Sequence, residues 1–383
     1  MNRILTTHAG SLPRPADLLA LMKTADAATR APRVRSAVAE VVDRQIAAGL
    51  DLIDDGEMSK PSFVTYVQER LGGFEVVGEP AGFPWAGSRE VLAFPEFYEA
   101  TVRDAATDAR RAPRLACTGP VTYVGHAAVR TDIENLKSAI AGRAVTGAFI
   151  PAISPSNIEG RWPNRHYKTD EEYLFAIAEA MRVEYTAIVD AGFLLQIDDP
   201  RLVTYYIMQP GATIAECRRW ATVRVEALNH ALRDIPRDRV RFHTCYSINM
   251  GPRVHDMQLR DIVDVILSVR AGAYSFEAAN PRHEHEWRVW ADVKLSDECV
   301  LIPGVITQST VLVEHPELVA ERIGRFASVV GRERVIAGAD CGFASFAGND
   351  EIHPTVAWAK LEALVEGARL ATQRLWEIGR AHV

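Results

Sequence analysis

Apolar residues recur at three- and four-residue spacing in Arg33–Ala48, Asp170–Ala191, Ile214–Leu232, Leu259–Arg270, Pro316–Val330 and Pro354–Trp376, which predicts amphipathic helices. In the fifth of these, Val319, Ile323, Phe326 and Val330 share one face, and Pro316 and Pro354 suit the first turn of their helices. Short apolar runs between the helices read as strands: Ile4–Thr7, Leu50–Asp54, Leu115–Thr118, Phe149–Ile153, Leu194–Ile197, Val240–His243, Tyr274–Glu277, Val300–Pro303 and Val335–Ala339. Strands alternating with helices imply a parallel sheet, and this many repeats favour a closed (β/α)8 TIM barrel over an open, doubly wound sheet. The runs exceed the barrel's need by one, and Leu115–Thr118 or the N-terminal run is expected to lie outside it. No GxGxxG follows a strand, so dinucleotide binding has no support.

Two stretches interrupt the alternation. Residues 74–98 are rich in Pro, Gly and aromatics without helical period, and read as an excursion, either a hairpin and lid or a packed surface loop. Residues 154–169 form a polar insert. It carries Arg161, Arg165, His166 and Lys168 and is expected to be a solvated loop or a contact for an anionic substrate tail. No linker or low-complexity segment divides the chain, so residues 1–383 are expected to be one barrel with these decorations.

Composition sharpens this reading mainly by exclusion. Of the 383 residues 48% are hydrophobic and 24% charged, which is ordinary for a globular protein and excludes disorder and coiled coil. A net charge of -7 makes nucleic acid a poor partner. No run is apolar enough to span a membrane, and the first residues lack a secretory apolar core, so the cytoplasm is the expected location. The oligomeric state is left open. The five cysteines, Cys117, Cys217, Cys245, Cys299 and Cys341, are too sparse for a disulfide framework.

In a parallel barrel, chemistry gathers just beyond the C-terminal ends of the strands. Those positions here hold Gly10-Ser11, Asp54-Asp55-Gly56-Glu57, Thr118-Gly119-Pro120, Ser154, Asp198-Asp199, His243 with Cys245, Glu277, and Asp340-Cys341. Residues i and i+2 of a strand point to one side, so the imidazole of His243 and the thiol of Cys245 can face one point. With Glu277 and Cys341 they make a nitrogen, sulfur, oxygen and sulfur set of the kind tetrahedral zinc accepts. Two inert core cysteines are the other reading of the same residues.

Six motifs occur in order along nearly the whole chain: Thr6-Thr7-His8-Ala9-Gly10-Ser11-Leu12-Pro13, Asp55-Gly56-Glu57, Gln196-Ile197-Asp198-Asp199-Pro200, His243-Thr244-Cys245-Tyr246-Ser247, Phe276-Glu277 and Ala339-Asp340-Cys341-Gly342. Together they resemble the catalytic barrel of cobalamin-independent methionine synthase. The stretches Val225-Glu226-Ala227-Leu228-Asn229-His230 and Asn280-Pro281-Arg282-His283-Glu284-His285-Glu286-Trp287 resemble more closely the single-barrel branch that includes the epoxyalkane:coenzyme M transferases. The resemblance implies a thiol alkyltransferase with one Zn2+ held by His243, Cys245, Glu277 and Cys341. It also implies that Gly10, Ser11, Glu57 and Asp198 hold the amino-acid part of a homocysteine-like thiol. The expected partners are a small thiol and an alkyl donor, either methyltetrahydrofolate or an epoxide. A non-catalytic zinc barrel and a zinc hydrolase are the minor alternatives.

The sequence departs from the methionine synthase pattern at three points. The interval from Cys245 to Glu277 is longer, with the extra length in Ile248–Asp256, which makes Glu277 the least secure ligand. The histidine expected after Pro303-Gly304-Val305 to protonate a folate leaving group is absent. Gln308 or Ser309 stands there, so His8, His283 or His285 becomes the candidate acid, and His315 lies too far along. Full methionine synthases also carry a second barrel, which puts a folate donor in doubt for this chain. Arg14, Arg161 and Arg282 are the candidates for gripping a sulfonate.

Overall fold

A computed structural model of the chain describes residues 2–78, 85–104, 114–246, 251–348 and 352–377. Its strands are β1 (Leu5–Thr6), β2 (Leu52–Ile53), β3 (Leu71–Gly78), β4 (Arg114–Tyr123), β5 (Gly147–Ile153), β6 (Leu194–Asp198), β7 (Val240–Thr244), β8 (Ala273–Phe276), β9 (Val300–Ile306) and β10 (Ile336–Ala339). Eight of them make one sheet in the order β1-β10-β9-β8-β7-β6-β5-β2, with every pairing parallel. Its two edges, β1 and β2, meet across single bonds. Asp51 N donates to Thr6 O (3.2 Å), Thr6 N to Asp51 Oδ2 (2.9 Å), and Thr7 Oγ1 to Leu52 O (3.1 Å). The result is a nearly closed (β/α)8 barrel, as the alternation predicts.

The strands read as continuous apolar runs because helices cover their outer face while side chains fill the interior. β5, β6 and β7 are buried over almost their whole length. Helix ends follow local chemistry: Asp26 accepts from Thr29 N at the start of Ala27–Ala48, and Thr213 with Glu216 forms a capping box before Ile214–Ala231. His315 Nδ1 accepts from Glu317 N (3.2 Å) at the start of Pro316–Val330. Among the described residues, no helix is long and apolar enough to cross a membrane.

One expectation holds and several need correction. Leu115–Thr118 is indeed the strand outside the barrel: it belongs to β4, which pairs antiparallel with β3. The excursion at 74–98 holds the end of β3 and helices at Arg89–Ala93 and Pro95–Asp104, while its residues 79–84 fall outside the described residues. The insert at 154–169 is the expected exposed loop only in its later part, where Arg165, His166 and Lys168 are exposed. It begins with helix Pro155–Arg161, buries Trp162 against Phe74, and is stitched to β4 by Cys117 N to Pro163 O (3.0 Å) and Arg165 N to Cys117 O (2.9 Å). The helix expected at Leu259–Arg270 is a 3-10 turn followed by Val263–Leu267. Helix Ala27–Ala48 runs through Pro32 and starts earlier than Arg33.

At the top of β9 and β10 the backbones of Gly304 and Gly338 lie opposite each other. A Cβ on Gly304 would sit 2.0 Å from Asp340 Oδ1 and 2.6 Å from Asp340 N, so only glycine leaves room for that carboxylate. We expect Gly304→Ala to destabilise the barrel by about 1–3 kcal/mol, the ordinary cost of overpacking, read as a lowered melting temperature. An unchanged melting temperature would mean that the two strands separate freely at this point.

Candidate functional site

The residues that carry sulfur and imidazole chemistry converge at the C-terminal mouth of the barrel. His243 is the penultimate residue of β7 and Cys245 follows the strand directly, while Cys341 lies two residues past β10. One donor atom from each of the three lies within 4.8 Å of the others, and the two sulfurs are 3.2 Å apart. His243 Nδ1 is bonded to Ser275 Oγ on the neighbouring strand (3.0 Å), whereas its Nε2 is buried without a partner. Burial, reinforced by Arg241, holds the His243 pKa down at about 3, so the ring is neutral and keeps a lone pair. The Cys341 thiol is pushed well up by its contact with Cys245 and by burial. An imidazole with an unpartnered buried nitrogen beside two thiols suits a thiophilic divalent cation, which displaces the thiol protons as it binds.

Glu277, just beyond β8, lies outside this group of three. Its Oε1 accepts from Tyr246 N (2.7 Å), and its Oε2 accepts from Arg253 Nη2 (2.8 Å) and Asn280 Nδ2 (2.7 Å). The turn that carries Glu277 is pinned by Asp340, whose carboxylate accepts from the backbone N–H groups of Ala278, Ala279 and Asn280 (2.7, 2.8 and 3.0 Å).

Across the mouth from the sulfurs stand the carboxylates. Glu57 and Asp198 line the same pocket as Ala9, Ser11, His243, Cys245, Cys341 and Ser345. Asp198 Oδ1 accepts from Gln196 Nε2 (2.7 Å). Burial and the neighbouring Glu57 push its pKa well above the usual carboxylate range. Glu57 has a backbone φ of 55°, and its Oε2 is buried with no hydrogen bond. Lys60 Nζ is 3.9 Å from that oxygen but donates instead to Pro151 O (2.6 Å). Gly10 has a φ of 127°, and a Cβ there would come within 3.0 Å of Glu57 Oε1, so glycine at this position makes room for the carboxylate. Ser11 is tied to the last strand's loop through Ala344 N (3.4 Å) and Ser345 Oγ (3.4 Å). Asp199 faces away from the pocket chemistry, accepting from Ser156 Oγ (2.7 Å) and Asn157 Nδ2 (3.0 Å).

His8, His283 and Gln308 are not among the residues that line this pocket. His8 Nδ1 accepts from Gly10 N (3.1 Å), which leaves the proton on Nε2, directed at Gln45 Oε1 (2.8 Å). Burial lowers its pKa to about 4. His283 is clasped by Glu286 Oε2 (2.7 Å) and Asp256 Oδ2 (2.9 Å) and stacked on Tyr246 at 3.9 Å. Burial opposes its charge, but the two carboxylates outweigh this and hold its pKa up at about 9. Gln308 is buried, and its Oε1 has no partner. Arg14 is occupied by three backbone carbonyls, of Ala344, Glu57 and Lys60 (2.7, 2.8 and 2.8 Å), and Arg282 by those of Arg253 and Val254 (2.9 and 3.1 Å).

Sequence reasoning missed Arg241, Lys60 and Arg253. For Arg241 a signal existed, since it lies two residues before His243 on the same face of β7. It packs inside the barrel, 3.9 Å above the Phe149 ring, and donates to Thr7 Oγ1 (3.0 Å) and His8 O (2.8 Å).

Residues 160–368, more than half of the chain, match the model of the cobalamin-independent synthase catalytic domain. The chain is 24% identical over 390 residues to the methionine synthase of Thermococcus kodakarensis, covering 99% of this chain and 96% of that one. It is 24% identical over 380 residues to the methionine synthase of Saccharolobus solfataricus, covering 97% and 95%. A B12-independent methionine synthase structure from Shewanella sp. W3-18-1 superimposes with a TM-score of 0.72 at 19% identity, covering 98% of this chain and 99% of that one. These relatives match almost end to end. The chain belongs to the cobalamin-independent synthase family.

Proposed function

We propose that this protein is a zinc-dependent thiol methyltransferase that makes a thioether from homocysteine. His243, Cys245 and Cys341 hold one Zn2+, and Glu277 serves as an exchangeable fourth ligand. The observation that carries this reading is the cluster of three donors within 4.8 Å, in which His243 Nε2 is buried and unpartnered. Zinc supplies a thiolate at neutral pH from a thiol whose own pKa is near ~8.5. Gly10 and Ser11 shape the wall beside the substrate, and Glu57 with Asp198 receives its ammonium group. His8 and His283 orient the loops around the site, since the nitrogens of each are already bonded. Gln308, with a free buried oxygen, is left to hydrogen-bond at the donor side of the mouth.

The methyl donor is proposed to be methyltetrahydrofolate or a comparable methyl carrier. The end-to-end relatives named methionine synthase support methyl transfer over epoxide opening. Metal analysis of the purified protein should find one zinc per chain, and homocysteine should shift the absorption of the cobalt-substituted form. Offered methyltetrahydrofolate, the enzyme should yield methionine. A protein that takes up no metal would end this reading, and a hydroxyalkyl thioether formed from coenzyme M and an epoxide would replace the methyl donor with the other electrophile.

A further inference from the structure

The loop between Cys245 and β8 carries Arg253, a bulky residue with a backbone φ of 56°. Such a conformation persists only where the surroundings impose it. Here they do, through a residue far away in sequence. Arg253 N and His255 N both donate to the buried carboxylate of Glu90 (3.0 and 2.8 Å), which lies on the helix Arg89–Ala93 of the excursion. Arg253 O in turn accepts from Arg282 Nε (2.9 Å). The side chain is thereby delivered, buried, between two carboxylates. Its Nε donates to Asp256 Oδ2 (2.8 Å) and its Nη2 to Glu277 Oε2 (2.8 Å). Asp256 is shared with His283, and Asn280 holds the same oxygen of Glu277. Both oxygens of Glu277 are therefore committed, one to Tyr246 N and the other to Arg253 and Asn280. The carboxylate must give up some of these bonds to reach a cation held by the cysteines.

We propose that Arg253 is a positioning residue that competes with the metal for Glu277, with Glu90 holding it to that task. With the Arg253–Glu277 pair closed, a cation held by His243, Cys245 and Cys341 would keep a position open for the incoming thiol. With the pair open, Glu277 would be free to take that position, and the thiol would have to displace it. The helix that carries Glu90 is itself anchored by Arg89 Nε donating to Tyr206 O (2.8 Å), so Arg253 is held in place from outside its own loop. The proposal rests on the metal reading above.

The test is metal affinity and cobalt spectroscopy on the full chain. Arg253→Met should tighten metal binding by roughly 10- to 100-fold, the range over which groups supporting a ligand act. It should also alter the cobalt absorption bands and weaken homocysteine binding to the loaded site. Adding Glu277→Gln should cut the gain in metal affinity by about tenfold or more and return the bands toward wild type, since neighbouring residues of one network are coupled. Arg253→Lys, which retains a cation, should stay nearer wild type than Arg253→Met. Glu90→Gln, which leaves the guanidinium in place but weakens its anchor, should move affinity and spectrum the same way by less. A gain of equal size with and without Glu277, or wild-type bands in both Arg253→Met and Glu90→Gln, would overturn the proposal. Failure of the wild-type protein to bind metal would instead overturn the metal reading itself.

Discussion

Cys341→Ser is expected to purify with almost no metal and to lose turnover by on the order of a thousandfold, since several kcal/mol of charge stabilisation go with the ion. The substitution removes only a sulfur, yet the expected loss follows from what surrounds it. Cys341 Sγ lies 3.2 Å from Cys245 Sγ, and among the described residues the only other member of the donor group is His243. Two thiolates and a neutral imidazole balance a divalent charge, whereas a serine hydroxyl stays protonated and leaves one thiolate to do so. The control is fold: Cys341 is buried just past β10, and an oxygen for a sulfur is a small change in volume, so the circular dichroism of the variant should match wild type. Wild-type metal content in Cys341→Ser would show that the cation, if bound, sits elsewhere. The binding of metal should also release protons, because Cys341 is held as a thiol in the free protein. Titration calorimetry in buffers of different ionisation enthalpy reads this directly, and metal affinity should rise with pH as that proton becomes easier to remove.

The barrel was legible because its strands are buried on both faces and so stand out as runs of branched apolar residues between amphipathic helices. Helix His126–Ile140 was not recognised although Val129, Ile133 and Leu136 are buried on one side of it. It follows Gly125, which offers no side-chain cap, so the start signal was missing. The His243, Cys245 and Cys341 trio was legible in part: His243 and Cys245 stand two apart at one strand end, while their pairing with Cys341 rested on the resemblance of the motifs to the family. Commitments of side chains across long sequence distances were not. Nothing in the sequence near Arg14 says that its guanidinium will be consumed by carbonyls at Glu57, Lys60 and Ala344. Nothing near Glu277 says that Arg253, itself placed by Glu90 from 163 residues away, will hold it. Each of these depends on which loops the barrel brings side by side, and a barrel fixes that only once it closes.

Asp198→Asn is expected to raise the KM for homocysteine roughly a hundredfold, from the loss of about 2–3 kcal/mol in a charge-assisted bond to the ammonium group, while metal content stays at the wild-type level. The free site has two buried carboxylates, Glu57 and Asp198, facing one pocket. Burial and the charge of Glu57 raise the pKa of Asp198 well above that of an ordinary carboxyl. A bound cation offsets both influences, because it favours the ionised carboxylate. Homocysteine affinity should therefore be weak where Asp198 carries a proton and climb as pH rises from the ordinary carboxylate range through the raised pKa, releasing a proton from the site on binding. Asp198→Asn has nothing there to titrate, and should flatten that limb of the KM profile as well as lifting KM. A thiol of similar length that lacks the amino group, such as 4-mercaptobutyrate, separates this from general damage. It gains nothing from the Asp198 carboxylate, so its binding to the cobalt-substituted protein should be unchanged or tighter in Asp198→Asn. Equal losses for both thiols would mean that Asp198 shapes the pocket rather than receiving an ammonium group. A wild-type KM for homocysteine in the variant would remove Asp198 from the binding site altogether and leave Glu57, whose Oε2 is buried without a partner, to carry the charge alone.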